Sequence, residues 1–172
     1  MEEAKVVATV AAKVVATATV VEEEGGEGGE GGEGDEGGEG GVQSSTQLVL
    51  LEMEANGAVA LPRLNARNEY LGTVLASFNR LTAVPAGLAN HAASLKKLHL
   101  GCNEIASVGA VLPSLTRLTE LCLEGNRLAE LPPSIGALTK LRELWVHGNE
   151  LTALPEALGR CASLTVLQAH HN

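Results

Sequence analysis

Six blocks of nine residues, each closed by an asparagine, recur at near-constant spacing, and this regularity constrains the chain more than any other feature. The blocks are Leu48–Asn56, Leu71–Asn79, Leu95–Asn103, Leu118–Asn126, Leu141–Asn149 and Leu164–Asn172, with starts 23 residues apart except for one step of 24. Within each block, apolar residues hold the first, fourth and sixth places: Leu48, Leu51, Met53; Leu71, Val74, Ala76; Leu95, Leu98, Leu100; Leu118, Leu121, Leu123; Leu141, Leu144, Val146; Leu164, Leu167, Ala169. A unit this short cannot bury its apolar side alone, so successive units must stack as coils around one shared interior.

Each place in the block has a physical reason. Around the second to sixth places a short strand is expected, because alternation turns the fourth and sixth side chains inward and the third and fifth outward. Stacked strands then form a parallel sheet. The asparagines Asn56, Asn79, Asn103, Asn126, Asn149 and Asn172 turn the chain away from the strand. Their amides carry both donors and an acceptor, which suits them to satisfy backbone groups of neighbouring coils in a buried ladder. Further apolar residues follow at the eleventh place (Leu81, Ile105, Leu128, Leu151) and the fourteenth (Leu61, Val84, Val108, Leu131, Leu154). Pro62, Pro85, Pro132 and Pro155 come next and fit an irregular or short helical return segment, since proline supplies no donor and fixes its own φ. Ile135 and Leu158 are expected to point inward from that segment.

The pattern L-x-x-L-x-L-x-x-N-x-L, at a period within the range of roughly 20 to 29 residues, resembles that of leucine-rich-repeat proteins. The Leu-Pro form seen in Asn126-Arg-Leu-Ala-Glu-Leu-Pro-Pro-Ser-Ile and Asn149-Glu-Leu-Thr-Ala-Leu-Pro-Glu-Ala-Leu is similar to the intracellular Ras-group members of that family in animals and plants. The resemblance implies an α/β fold: a curved solenoid of about six repeats, with a parallel sheet on the concave face and short helical or irregular segments on the convex side. It also implies a scaffolding role in signalling, with a GTPase, phosphatase or kinase gripped on the concave face. Some positions depart from the pattern: Gly109 stands where proline is usual, and Ala76 and Ala169 are small. Ala58 at the eleventh place marks the first repeat as degenerate, as expected of a capping unit.

Charge divides the chain sharply. Residues 22–41 hold eleven glycines and nine acids and nothing else, and they account for the whole formal charge of −9. Such a segment buries too little to offset its ordering entropy and repels itself, so a disordered linker is expected. Residues 42–172 carry ten acids and ten bases, so the low isoelectric point says nothing about the folded surface, and no basic stripe suggests nucleic-acid binding. Residues 1–21 contain Lys5-Val-Val-Ala-Thr and again Lys13-Val-Val-Ala-Thr, β-branched and of low complexity, without a clean period of two or 3.6; no structure is assigned to them. Glu2 and Glu3 stand where a secretory leader carries positive charge, and Lys13 interrupts the apolar run Val6–Val21, so neither a leader nor a membrane span is expected. The three cysteines, Cys102, Cys122 and Cys161, are odd in number and absent from the ends of the array, which points to a reducing compartment, the cytoplasm.

The outward places define the candidate binding residues. The fifth gives Glu52, Leu75, His99, Cys122, Trp145 and Gln168; the third includes Lys97, Glu120 and Glu143; the seventh includes Glu124, His147 and His170; Phe78 sits at the eighth, near the rim. Trp145, the sole tryptophan, is of the residue type that most often dominates protein interfaces, although it could instead pack on His147 or the neighbouring rows to cover the sheet. Glu120 and Glu124, with Lys97 and Arg142 nearby, would set charge preference. No metal is expected: His99, Cys122, His147 and His170 advance one strand at a time, and no paired spacing closes a tetrahedron. His170 and His171 read as adjacent, opposite-facing strand positions that are simply solvated. Cys122 beside His99 lacks an oxyanion site and an enclosed pocket, so neither catalysis nor a cofactor is expected. The Gly/Glu tract is no phosphate loop, since its acids repel phosphate and no Lys-Ser/Thr follows.

Asn172 closes the strand half of a sixth repeat, so the last repeat is truncated and the chain is expected to be a piece of a longer one. The functional expectation is a scaffold or adaptor that binds a protein on the sheet. The alternative is the recognition module of a larger kinase, hydrolase or ubiquitin ligase. A receptor ectodomain is a third reading, which would require a leader and cysteine caps.

Overall fold

The computed structural model describes residues 4–10, 14–21, 47–62, 70–109 and 111–172. The acidic segment 22–41 lies outside these residues. Among the described residues one sheet of eight strands runs in sequence order: β1 (Ala4–Val10), β2 (Val14–Val21), β3 (Gln47–Glu52), β4 (Thr73–Leu75), β5 (Lys97–His99), β6 (Glu120–Cys122), β7 (Glu143–Trp145) and β8 (Val166–Gln168). From β3 to β8 all pairings are parallel and in register, so Leu51, Val74, Leu98, Leu121, Leu144 and Leu167 form one row. From β4 onward each strand is only three residues long, the third to fifth places, shorter than the second-to-sixth span read from the sequence.

The returns on the other side contain 3-10 turns at Ala86–His91, Leu112–Ser114, Pro133–Ala137 and Glu156–Arg160. Three of them start just after a proline, Pro85, Pro132 and Pro155, held extended at ψ 125° to 151°. Proline fixes the entry and cannot continue the preceding strand ladder. These turns pack closely: a Cβ on Gly136 would lie 2.6 Å from the carbonyl oxygen of Ala157.

The core lies between sheet and turns and follows the repeat. First, fourth and sixth places from Leu71 to Val146 are completely buried, as are Leu88, Ile105, Leu115, Leu128, Ile135 and Leu138. The interior also admits two residues that the leucine pattern does not announce. His91 and Cys161 occupy the place held by Leu115 and Leu138 in the intervening coils, and both are buried. In the last coil, burial falls off: Leu154 and Leu167 are each 41% exposed, and Leu158 and Leu164 are half-buried.

Asparagine holds the coils together. Asn126 Nδ2 donates to the carbonyls of Leu100 (3.0 Å), Leu123 (2.9 Å) and Glu124 (3.3 Å), and its Oδ1 accepts from the Ile105 amide at 2.9 Å. Asn79, Asn103, Asn149 and Asn172 repeat this arrangement. The sixth-place carbonyls of Ala76, Leu100, Leu123 and Val146 are each shared. Leu123 O receives Asn126 Nδ2 from its own coil and Asn149 Nδ2 from the next.

The eighth place is left-handed in all six blocks: Ala55, Phe78, Cys102, Gly125, Gly148 and His171 have φ between 52° and 64°. This conformation favours glycine, and four of the six residues are not glycine. It lets the eighth-place amide donate to the seventh-place carbonyl of the next coil, as in Phe78 N to Gly101 O (2.9 Å) and Gly125 N to His147 O (2.9 Å). His171 therefore lies beyond β8 in a left-handed turn, and the opposite-facing strand pair expected of His170 and His171 does not form.

Residues 1–21, left without structure by the sequence reading, contain two strands. β1 and β2 form an antiparallel hairpin with Val7 opposite Thr17, and β2 pairs antiparallel with β3, with a register shift between Thr19 and Val20. The duplicated Val-Val-Ala-Thr segments lie one in each strand.

Candidate functional site

The parallel register places the outward residues in three columns. At the third place run Thr73, Lys97, Glu120, Glu143 and Val166; at the fifth, Leu75, His99, Cys122, Trp145 and Gln168. Glu124, His147 and His170 occupy the seventh place just beyond their strands. Phe78 stands at the rim, 61% exposed, because its left-handed backbone swings it out of the coil.

The centre of this face is an electrostatic cluster. Lys97 Nζ lies 2.7 Å from Glu120 Oε1, and His99 Nε2 lies 3.4 Å from Glu120 Oε2. Burial pushes the Glu120 carboxyl up, but hydrogen bonds and charge from Lys97 and His99 outweigh it and leave the group below the usual carboxylate range. The Lys97 ammonium is raised, first by its hydrogen bond to Glu120 and then by the charge of that carboxylate. Glu143, next in the same column, takes part in no ion pair among the described residues.

Cys122 is not the accessible contact expected from its place. It is 5% exposed, sunk between the longer side chains of His99 and Trp145, its column neighbours on β5 and β7. Burial, with smaller contributions from Glu124, Glu120 and Glu143, pushes its thiol up to about 12. The thiolate needed for nucleophilic attack or metal binding is therefore suppressed. Cys102, Cys122 and Cys161 are all free. Among the described residues, no group of three or more His, Cys, Asp or Glu is placed to hold a metal ion. No helix of the described residues is long and apolar enough to cross a membrane.

Beside Cys122 the face contains a patch with unused hydrogen-bonding capacity. Gly101 has no side chain at the seventh place, and the Glu124 carboxylate of the next coil occupies the space that a Cβ there would fill. Glu124 Oε2, Trp145 Nε1 and His147 Nδ1 are inaccessible to solvent and have no hydrogen-bond partner among the described residues. They lie on two neighbouring coils and combine an acceptor, a donor and an imidazole nitrogen able to play either role. The Trp145 side chain does not stack on His147. Instead His147 stacks in parallel on His170, with centroids 4.6 Å apart, and His171 meets His170 edge-on at 4.8 Å. The sequence signalled the columns. It did not signal the notch at Gly101 or the histidine stack, because both depend on what the adjacent coil carries at the same place.

Comparison with known proteins accords with the repeat register. The family described as "Leucine rich repeat" matches residues 71–128, and "Leucine Rich repeats (2 copies)" matches residues 116–159. No curated protein sequence matches the chain closely enough to count as a relative. Among solved structures, an internalin (inlF) from Listeria monocytogenes is 26% identical, with a TM-score of 0.53 over 62% of this chain and 31% of its own. A leucine-rich-repeat protein of Leptospira interrogans is 27% identical, with a TM-score of 0.56 over 68% of this chain and 36% of its own. The functional domain of InlJ from Listeria monocytogenes, which includes a cysteine ladder, is 23% identical, with a TM-score of 0.59 over 76% and 31% respectively, a likeness of fold. The chain thus spans about a third of the length of the solved structures it matches. With its in-register parallel strands, asparagine ladder and two family matches that together run from residue 71 to residue 159, the chain belongs to the leucine-rich-repeat proteins.

Proposed function

We propose that this chain is a scaffold or adaptor of intracellular signalling that docks a partner protein on its concave sheet face. Leucine-rich-repeat proteins generally act as protein-interaction modules. The observation that carries the reading for this chain is the patch formed by Glu124, Trp145 and His147. The ladder satisfies the interior carbonyls twice over, yet three side-chain atoms on the outer face are withdrawn from water without a partner. Leaving such groups unpaired costs roughly 1–3 kcal/mol each, which a complementary partner would recover. The Leu-Pro form of the repeats supports the intracellular Ras-group assignment, and three free cysteines are at home in a reducing cytoplasm. A GTPase, phosphatase or kinase partner follows from that subclass.

The test is affinity capture on the full chain, with the captured partner identified and its affinity measured. Trp145→Ala combined with His99→Ala should weaken that partner by more than about tenfold, about 1.4 kcal/mol per decade. Arg160→Ala, an exposed change on the turn side, should leave it unchanged. Equal affinity for the wild type and the concave-face double variant would refute docking there.

A further inference from the structure

A second feature of the molecule lies off the sheet face, on the flank where β4 and β5 begin. A cleft of about 450 Å³ opens there, lined by Tyr70, Thr73, Ser94, Lys96, Lys97 and Arg117 with two small residues between them. Among the described residues no carboxylate lines it. Residues 42–172 carry as many acids as bases, so three cations from two successive coils around one cleft are a local excess. Lys97 is engaged with Glu120, whereas Lys96 and Arg117 are exposed and form no ion pair among the described residues.

Two backbone acceptors at the wall are already used. The Gly72 carbonyl takes the amides of both Lys96 (2.8 Å) and Lys97 (3.1 Å), and the Leu71 carbonyl takes the Ser94 hydroxyl at 2.9 Å. The side chains offered to an incoming group include three donors: the Arg117 guanidinium, the Lys96 ammonium and the Thr73 hydroxyl. Donors of this kind match a compact, acceptor-only dianion, and the guanidinium fork in particular matches the oxygens of a phosphate.

We propose that this cleft binds the phosphate of a phosphorylated serine or threonine side chain on a partner protein. Thr73 and Lys97 belong both to the cleft and to the third-place column, so a polypeptide lying along the sheet face reaches the cleft directly. Among the described residues the walls supply a single aromatic ring, Tyr70, and no second ring to sandwich a nucleobase. The polypeptide source of the phosphate rests on the docking reading above; the anion site itself does not.

The experiment is a titration of the isotopically labelled full chain, followed by amide chemical shifts. The probes are N-acetyl-phosphoserine N-methylamide, its unphosphorylated counterpart, inorganic phosphate, adenosine monophosphate and sodium chloride at matched ionic strength. Saturable shifts confined to the surroundings of Thr73, Ser94, Lys96 and Arg117 are expected with the phosphoserine compound and not with its unphosphorylated form. Binding should strengthen as pH rises through about 6, where the phosphate becomes a dianion. Lys96→Ala with Arg117→Ala should weaken it at least about tenfold, as expected when charge-assisted bonds are removed. Shifts that match those of chloride, or that survive the double substitution, would overturn the site. Tighter binding of adenosine monophosphate or of free phosphate would overturn the assignment to a phosphorylated side chain. Neither result bears on the Trp145 and His99 capture experiment, so failure of the cleft and failure of the docking face are read separately.

Discussion

Replacing Asn126 by alanine tests the ladder quantitatively. The change removes three donated bonds and one accepted bond, but their losses are unequal. Leu100 O keeps Asn103 Nδ2, Leu123 O keeps Asn149 Nδ2, and Glu124 O keeps the Cys102 amide. Each of these lost bonds therefore costs only the net value of a second hydrogen bond, roughly 0.5 kcal/mol or a little more. The Ile105 amide has Asn126 Oδ1 as its acceptor and sits in the core, so it becomes an orphan at roughly 1–3 kcal/mol. The sum is about 3 kcal/mol, a large part of the stability of a domain this size. Asn172→Ala is the matched control: Asn172 is exposed, and its 3.1 Å bond from the Leu151 amide is only partly buried, so its loss should cost below about 1 kcal/mol. Urea denaturation of the full chain, followed by circular dichroism, should show the midpoint of Asn126→Ala well below that of Asn172→Ala, with little change in slope. Asn126→Asp should be no better than alanine, because it keeps the acceptor for Ile105 but turns a second oxygen toward three carbonyls. Equal midpoints for the two alanine variants would refute the view that interior asparagines carry the cohesion between coils.

Four further outcomes follow from the same structure. Gly136→Ala should destabilise by about 1–3 kcal/mol in the same urea assay, because the new methyl group would meet backbone at Ala157 and overpacked sites rarely relax fully. Cys102→Gly should stabilise by up to about 1 kcal/mol, since it relieves a left-handed non-glycine residue at an exposed position. Iodoacetamide at mildly alkaline pH, followed by peptide mass analysis, should label exposed Cys102 well before buried Cys122, whose thiol is pushed up to about 12; faster labelling of Cys122 would contradict its burial. The folded state holds the Glu120 carboxyl below its ordinary value, so its contribution is present above that value and is lost as pH falls through the lowered one. Lys97→Ala should flatten that acid-side loss in a stability profile measured below about pH 5.

How much of this was legible in the sequence depends on whether the signal lies within one coil. The inward leucines, the asparagines and the prolines each act through their own repeat, and the register they imply is the one the strands adopt. The left-handed eighth place was not read from the sequence, because Ala55, Phe78, Cys102 and His171 adopt this backbone without being glycine. Cys122 looked exposed because its place is outward; its burial comes from Trp145 and His99 on either side, a relation between coils that no single repeat contains. The cleft at Lys96 and Arg117 was invisible for the same reason, since those residues are 21 positions apart and meet only after stacking. The first 21 residues offered β-branched content but no alternation, which left their pairing unread.

The antiparallel hairpin gives the array a direction. A parallel coil can join only an edge whose free carbonyls and amides run the right way, and on the β3 side that edge is taken by a strand running oppositely. Any lengthening of the repeat series by duplication must therefore occur between β3 and β8 or past β8. Evolution of a longer binding surface in this molecule would proceed by insertion and one-sided growth, with the hairpin carried along as a fixed starting block.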